Sequence, residues 1–260
     1  MSRTEDLERI RAGLQAAARA LKPFTPGDIE FERKEHRGGD PVTEADLVVD
    51  RVLREALPND GEAWLSEESA DDRIRLSSRR VWVVDPIDGT REFVEGIPEW
   101  CVSVGLLEDG EPVAGGIYNP ATDELMLGSK ETGVTYNGRE AGLSDPDDLS
   151  AVSVLASRSE TRRGEWERFE GAPFKVKPCG SVAYKLALVS VGRAEATFTL
   201  VPKHEWDVVA GVALVLAAGG AVTHRDGSAV RFNQEKPKLP NLVAAGPRTS
   251  AELLSSWLKD

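Results

Sequence analysis

The sequence is poor in cysteine, lacks long apolar runs and carries an excess of negative charge. Among its 260 residues there are two cysteines, Cys101 and Cys179, whose wide separation favours reduced intracellular thiols over a disulfide. No run of about 18 apolar residues occurs, so no membrane-spanning helix is expected, and the polar start after Met1 does not resemble a signal peptide. The net charge of −12 disfavours a nucleic-acid polymer as partner, because its phosphate backbone is also negative. We therefore expect a cytoplasmic globular protein that binds neither membranes nor nucleic-acid polymers.

What the sequence does contain is enough apolar material for a sizeable core, since hydrophobic residues make up 40% of the chain. The polar stretch 143–150 is the best candidate for a domain boundary. It predicts an N-terminal α+β subdomain at residues 1–143 and a C-terminal α/β subdomain at residues 144–260. The first would contain a helical layer and an antiparallel meander with a metal site, and the second would complete that site.

Apolar periodicity and turn residues locate the individual elements. Helical spacing predicts helices at 4–22, 44–57, 182–189, 208–218 and 250–258, and a surface helix at 158–170. Short apolar runs predict strands at 64–66, 81–85, 100–107, 113–118, 125–128, 133–136, 152–156, 194–200, 221–223 and 242–245. The charged stretch 29–41, which contains Gly38 and Gly39, is expected to form a mobile loop or a hairpin.

The run VWVVDPIDGT at residues 81–90 is the strongest functional signal. Its apolar start predicts a strand buried on both faces, and Pro86 places Asp85 at the last position of that strand. Asp88 follows in a turn that opens a helix. Two carboxylates that face one small space repel each other unless a cation lies between them, and hard oxygen ligands favour Mg²⁺ or Mn²⁺. An Asp-Pro turn followed by a capped helix would explain either acid alone.

Three further acids stand where an apolar element meets a turn. Asp46 lies in the first turn of a helix, Glu67 follows a short strand, and Asp207 begins an almost wholly apolar helix. Asp46 could simply complement the helix dipole, and Glu67 with Glu68 could be solvated surface. Asp207 differs, because a buried carboxylate is costly without a cation or several hydrogen bonds. Together with the two acids of the central run, they predict metal-assisted phosphoryl transfer to water.

Gly180 and Ser181 stand at the start of another predicted helix. Free backbone N–H groups at such a position suit an anion. A plain helix cap would explain the same two residues equally well.

These motifs resemble those of the inositol monophosphatase family. The run DPIDGT at 85–90, and Trp206-Asp207 with the following Ala210-Gly211 and Gly219-Gly220, look like the family's two signatures. Segments 42–46 (VTEAD) and 66–69 (SEES) match two further family segments in the expected order. The resemblance implies an α+β protein with a layered α-β-α-β-α fold, a Mg²⁺-dependent and lithium-sensitive phosphomonoesterase activity on a small substrate, and the homodimer usual in the family.

The resemblance also implies a role for each site residue. Two or three metal ions would be held by these ligands: Glu67, Asp85 and the carbonyl of Ile87 for the first, Asp85, Asp88 and Asp207 for the second, and Asp46 with Glu67 for a weaker third. Thr90, oriented by Asp46, and Glu67 would position and deprotonate the attacking water, because a hydroxyl and a carboxylate beside a water form a base relay. The N–H groups of Gly89 and Thr90 would bind the phosphate.

The substrate is less well defined by the sequence. Inositol phosphatases place a sugar-binding glutamate about seven residues before the Trp-Asp aspartate, and here that position holds Leu200, with Lys203 nearby. A cation in place of an acid favours a substrate with a second negative group, although Lys203 could instead face solvent. The run TREF at 90–93 also resembles the TKEF of bacterial 3'(2'),5'-bisphosphate nucleotidases.

The favoured reaction is therefore hydrolysis of 3'(2')-phosphoadenosine 5'-phosphate to AMP. The alternatives are inositol-1-monophosphatase or fructose-1,6-bisphosphatase activity and, in another class, a metal-binding regulatory protein without catalysis. The substrate contacts expected under the favoured reaction come from Asp88, Gly89, Thr90, Gly180, Ser181, Lys203 and Asp207.

Overall fold

The computed structural model describes residues 2–33 and 41–258, which form five layers of helices and sheets. The helices of this part of the chain are α1 (Arg3–Leu21), α2 (Glu44–Ala56), α3 (Thr90–Glu95), α4 (Arg158–Arg162), α5 (Val182–Ser190), α6 (Glu205–Ala217) and α7 (Pro247–Ser256). Its strands are β1 (Phe31–Arg33), β2 (Pro41–Thr43), β3 (Ala63–Ser66), β4 (Arg80–Asp88), β5 (Cys101–Glu108), β6 (Glu111–Asn119), β7 (Glu124–Ser129), β8 (Gly133–Tyr136), β9 (Arg139–Ala141), β10 (Ser153–Ser157), β11 (Lys175–Cys179), β12 (Ala196–Phe198), β13 (Lys203–His204), β14 (Ala221–Thr223), β15 (Lys238–Leu239) and β16 (Val243–Ala245).

The first two layers are the helices α1 and α2 and a seven-stranded sheet in the order β3-β4-β5-β6-β7-β8-β9. The helices bury an apolar stripe that includes Ile10, Leu14 and Leu53 against one face of the sheet. Neighbouring strands in the sheet are antiparallel except for the parallel pair β3 and β4. The predicted helical layer and meander are thus both present.

Strand β4 is buried along both faces, as its sequence predicts. Trp82 and Val84 point into the core shared with α1 and α2, whereas Val81 and Val83 point into the core on the opposite face. The prediction that Asp85 ends the strand is wrong, because pairing with β5 resumes at Asp88 after a shift in register. The irregularity falls at Pro86, which has no N–H to donate to a ladder. It brings both acids into the sheet itself.

The middle layer consists of α5 and α6, which pack against each other and against the second face of the seven-stranded sheet. Helix α6 is buried over nearly its whole length, as its apolar sequence predicts. It approaches the sheet closely because β5 and β6 present Gly105 and Gly115 to it. A Cβ on Gly115 would lie 2.3 Å from the carbonyl oxygen of Ala210. These glycines set the distance between α6 and the end of β4.

The last two layers are a five-stranded sheet in the order β11-β10-β12-β16-β14 and the elements on its outer face. Strands β10, β11 and β12 are parallel, so their carboxyl ends lie at one edge. The predicted surface helix at 158–170 is wrong: α4 ends at Arg162, and a separate 3-10 turn covers Glu167–Phe169. Trp166 and Phe169 turn inward to pack with Phe198, because burial of their aromatic surface stabilises the fold.

The layered α+β fold expected from the sequence is confirmed. The two subdomains remain a prediction, and no helix in 2–33 or 41–258 is long and apolar enough to cross a membrane. Four strands were not predicted: β9, β11, β13 and β15. Strands β1 and β2 pair antiparallel, whereas the remainder of the expected loop or hairpin, with Gly38 and Gly39, lies outside the described residues.

Candidate active site

Three carboxylates from separate elements meet at the edge of the seven-stranded sheet. Glu67 follows β3, Asp85 lies in β4, and Asp207 lies in the first turn of α6. One oxygen from each lies within 4.8 Å of the others. The parallel pairing of β3 with β4 puts Glu67 beside Asp85, and the close packing of α6 brings Asp207 to the same point. The structure therefore brings together three of the predicted site acids, and their role as metal ligands stays a prediction.

The electrostatics of this group favour a cation. Burial raises the pKa of Asp85 well above its usual range, and the charges of Glu67, Asp88 and Asp207 raise it further. Burial also raises the pKa of Asp207, with Asp88 and Glu67 adding to the effect and Lys203 opposing it. Carboxylates that cost this much to ionise favour a bound cation, which would lower those pKa values again.

Asp88 is held beside this group by the start of α5. Its Oδ2 accepts hydrogen bonds from Ser181 Oγ (2.6 Å) and from the Ala183 N–H (2.5 Å). Burial still raises the pKa of Asp88 despite these two donors. Its expected role as a metal ligand stays a prediction. Ser181 adopts a positive φ of 52°, a conformation that lets it cap α5 and reach Asp88 together.

Thr90, whose role in orienting the attacking water stays a prediction, lies within hydrogen-bond distance of two groups. Its Oγ1 is 2.9 Å from the carbonyl oxygen of Ile87 and 3.2 Å from Asp46 Oδ1. Asp46 is itself fixed, because its Oδ2 accepts hydrogen bonds from the N–H (2.8 Å) and Oγ1 (2.6 Å) of Thr43. Asp46 therefore completes the capping box of α2 and also lies within hydrogen-bond distance of Thr90, so a structural role in the helix does not exclude its predicted role in orienting Thr90.

Gly89 precedes Thr90 in a left-handed conformation with φ of 95°. A Cβ there would lie 3.1 Å from the carbonyl oxygen of Glu99 and equally close to Trp100. Both the turn and the close approach therefore require glycine. The phosphate contacts expected of Gly89 and Thr90 remain predictions.

The donor atoms fit Mg²⁺ or Mn²⁺. The three gathered ligand groups are all carboxylates, and hard oxygen donors without histidine or cysteine match those ions rather than zinc. The Ile87 carbonyl lies in the same turn, held by the hydrogen bond between the Ile87 N–H and Asp85 Oδ1 (3.1 Å). The carboxylates and the nearby carbonyl group are therefore suitable ligands for a metal ion of this class.

Lys203 of β13 lies near enough to Asp207 to lower its pKa, and it faces a further acid. Lys203 Nζ lies 3.8 Å from Oε1 of Glu160, a fully buried residue of α4. The other Glu160 oxygen accepts a hydrogen bond from Trp166 Nε1 (3.0 Å). Lys203 is thus neither a free surface lysine nor an unopposed charge. Its predicted contact with a second substrate phosphate stays a prediction.

Lys185 is a buried charged residue near Asp88 that the sequence analysis did not single out. It is 2% exposed, and its Nζ donates to the carbonyl oxygen of Cys179 (3.4 Å). Burial lowers its pKa, while Asp88 and Glu160 raise it. A single lysine in the apolar run VAYKLALV was the available signal, because a lysine that deep needs nearby negative charge.

Gly180 and Ser181 were expected to contact an anion through free groups. The Gly180 N–H instead donates to Glu99 Oε2 (2.7 Å), a carboxylate that also pairs with Arg158. The Ser181 hydroxyl donates to Asp88. Both residues have protein partners in the structure, and their substrate contacts remain predictions.

The two cysteines are buried and form no disulfide, as expected. Burial raises the pKa of the Cys101 thiol well above its usual value, and burial raises the pKa of Cys179 to about 12. Neither thiol is therefore suited to act as a nucleophile at neutral pH.

With this geometry in place, the comparison with known proteins is decisive. A model of the inositol monophosphatase family matches residues 5–258. The chain belongs to this family. Inositol monophosphatase 3 of Solanum lycopersicum is 33% identical over 266 aligned residues, covering 96% of this chain and 95% of that protein.

Solved structures give the same result. The extragenic suppressor protein suhB of Bartonella henselae matches with a TM-score of 0.80 at 26% identity, covering 98% of this chain and 99% of its own. CysQ of Bacteroides thetaiotaomicron, a bacterial member of the inositol monophosphatase family, matches with a TM-score of 0.77 at 25% identity, covering 94% of this chain and 98% of its own. As a member of the inositol monophosphatase family, the chain is a phosphatase that hydrolyses phosphate monoesters.

Proposed function

We propose that this inositol monophosphatase family member is a Mg²⁺-dependent phosphomonoesterase that prefers small polyol phosphates as substrates, with inositol monophosphate as the leading candidate. The observation that carries the proposal is the approach of Glu67, Asp85 and Asp207 to within 4.8 Å of one another. This group lies next to the turn that bears the Thr90 hydroxyl and its partner Asp46. Such a constellation suits transfer of a phosphoryl group to water.

The protein's own groups supply the positioning and the proton transfer. Bound Mg²⁺ would neutralise phosphate charge and favour ionisation of water. The Thr90 hydroxyl, while donating to Asp46 or to the Ile87 carbonyl, keeps a lone pair that can accept a hydrogen bond from the attacking water. Glu67 would accept the proton of that water at a carboxylate oxygen.

Two observations support a polyol phosphate as the first candidate. The relative in Solanum lycopersicum is named an inositol monophosphatase. In addition, the Lys203 ammonium group faces the Glu160 carboxylate at 3.8 Å, which reduces the positive charge that it offers to a second phosphate. This order reverses the one favoured from the sequence, where Lys203 was treated as unopposed.

A bisphosphate nucleotide remains the second candidate, and Lys185 is the observation that favours it. Lys185 lowers the pKa of Asp88, and Lys203 lowers the pKa of Asp207, while Glu160 is the acid that Lys203 faces. If both lysines are protonated, their two charges outnumber the single charge of Glu160, which favours a second anionic group on the substrate.

A substrate panel tests the proposal and ranks the candidates. We would measure Mg²⁺-dependent phosphate release from inositol 1-phosphate, 3'-phosphoadenosine 5'-phosphate and fructose 1,6-bisphosphate, with Asp88→Asn as the matched inactive variant. We expect turnover of inositol 1-phosphate that EDTA abolishes and that Asp88→Asn lowers by about 100-fold or more, the cost of a lost charge-stabilising group. Release from none of the three compounds, or equal release by Asp88→Asn, would contradict the proposal.

Lys203→Ala separates the two substrate classes. Under the nucleotide alternative, it should raise KM for the bisphosphate about tenfold, or about 1.4 kcal/mol, and leave inositol 1-phosphate nearly unchanged. Under the polyol proposal it should change neither KM strongly. An equal loss on both compounds would indicate a displaced Asp207 instead of a lost contact.

A further inference from the structure

The short segment that carries Glu67 is fastened at both ends to one carboxylate. Ser66 Oγ donates to Asp50 Oδ1 (2.5 Å), and Ser69 Oγ donates to Asp50 Oδ2 (2.5 Å). Asp50 is 9% exposed and Ser66 is 2% exposed. The two serines flank Glu67 and Glu68, so a single side chain fixes the ends of the turn that presents the metal-binding acid.

Asp50 stands one helical turn after Asp46 on α2. Residues four positions apart project from the same face of a helix, and both of these carboxylates point at the site. Asp46 lies within hydrogen-bond distance of the Thr90 hydroxyl, and Asp50 holds the segment of Glu67. One rigid helix therefore fixes the spacing between the two groups assigned to the attacking water.

We propose that Asp50 is a positioning residue that sets the place of Glu67 relative to Thr90 and Asp85. The inference rests on the proposed function. Nothing in the sequence motifs assigns a role to Asp50, Ser66 or Ser69. Together these three residues form the α2 clamp.

The clamp has a physical task because the acids that it helps to gather repel one another. The charges of Glu67, Asp88 and Asp207 all raise the pKa of Asp85. Without restraint, a surface turn that carries Glu67 would relax away from Asp85 and Asp207. Hydrogen bonds to a buried charged acceptor are among the stronger ones available in a protein, and here two of them oppose that relaxation.

The serine variants give the cleanest test, since they remove the clamp without changing the charge of the site. We would titrate Mg²⁺ by calorimetry into wild type, Ser69→Ala, and Ser66→Ala with Ser69→Ala. The matched control is Ser129→Ala. It removes a buried hydroxyl at the end of β7 that forms a hydrogen bond with Thr132, away from the turn that carries Glu67. We expect the double variant to bind Mg²⁺ about tenfold more weakly, equal to about 1.4 kcal/mol, and the control to bind it as wild type does.

Asp50→Asn provides the second variant, and it should show a loss between those of Ser69→Ala and the double variant. Thermal unfolding tests the alternative that the clamp residues only stabilise the fold. In that case, Ser129→Ala and the clamp variants should all lower Tm, and all should leave the Mg²⁺ affinity unchanged. Unchanged affinity in both Ser69→Ala and Asp50→Asn would overturn the inference. If the double variant fails to fold, Ser69→Ala decides, because its serine lies at the more exposed end of the turn.

The readout also distinguishes this inference from the proposed function. If wild type binds Mg²⁺ but releases phosphate from no compound of the panel, the proposed function fails while the affinity series still judges the clamp. If wild type is active and the clamp variants keep full Mg²⁺ affinity and full kcat, the proposed function stands and the clamp is refuted.

Discussion

Replacing Gly115 by alanine should push α6 away from the sheet. It should thereby displace Asp207, a predicted site residue that Gly115 does not touch. The added Cβ would lie 2.3 Å from the backbone oxygen of Ala210, whereas ordinary contact begins at 3.4 Å. Because the obstacle is backbone, no rotamer change relieves it, and α6 must move by about 1 Å. Asp207 lies on the first turn of α6. Overpacking of this kind typically costs about 1–3 kcal/mol of stability, and a displacement of about 1 Å at a catalytic site can cost about 100-fold in rate.

The adjacent residue provides the control for this experiment. Gly116 lies on the same strand and faces the opposite side, where a Cβ would lie 2.3 Å from a methyl carbon of Ile10 and 2.6 Å from one of Leu127. Gly116→Ala should therefore also lose stability, by an amount that depends on how far these side chains can shift, while leaving α6 in place. We would compare phosphate release, Mg²⁺ affinity and Tm for both variants. Equal activity losses at matched Tm would refute the idea that Gly115 sets the position of Asp207.

Three further predictions concern single side chains and the metal-free protein. Thr90→Ala should lower kcat by about 100-fold and change Mg²⁺ affinity far less, because the hydroxyl orients the nucleophile; equal losses in calorimetry and rate would make it a structural cap. Glu62 is partly buried, which raises its pKa, but hydrogen bonds from Arg9, Trp82, the Asn59 N–H and Arg80 lower the pKa to about 2. Ionised Glu62 should therefore add about 3 kcal/mol to the free energy of unfolding above pH 4.5, and this contribution should be lost as the pH falls towards 2. In urea unfolding, Glu62→Gln should lower the free energy of unfolding by about that amount at pH 7 and by much less near pH 2. The raised pKa values of Asp85 and Asp207 affect stability in the opposite direction. In EDTA, the stability that these two carboxyl groups contribute is present below pH 3.8 and is lost as the pH rises. The increase in Tm on adding Mg²⁺ should therefore grow with pH, and a pH-independent increase would contradict this.

Much of the active-site region could be predicted because its chemistry is local in the sequence. The unbroken apolar run from Val81 to Val84 identified the central strand, and the turn residues after it located Asp88 and Thr90. Asp207 was identified as a site residue because a carboxylate on an all-apolar helix has few alternatives. The fold followed from motif order more than from periodicity, since strands as short as β13 and β15 carry almost no periodic signal.

The contacts that could not be predicted join residues far apart in the sequence. Glu160 appeared to lie on a surface helix, and only the packing of Trp166 and Phe169 shows that it is buried. Asp50 looked like an ordinary helical acid, because its serine partners lie 16 and 19 residues later. The end of β4 was misplaced because proline normally stops a ladder, whereas here a register shift carries the pairing past it.

The most direct test of the account is a calorimetric titration of Mg²⁺ into the metal-free wild type and into Asp85→Asn. Asp85 is the buried acid of the group whose pKa its three neighbours raise, so it should contribute most to cation binding. We predict that wild type binds Mg²⁺ and that Asp85→Asn, which keeps the shape of the side chain, binds it at least about tenfold more weakly, or about 1.4 kcal/mol, with no loss of Tm in EDTA. Equal Mg²⁺ affinity in the two proteins would contradict the assignment of this group as the metal centre.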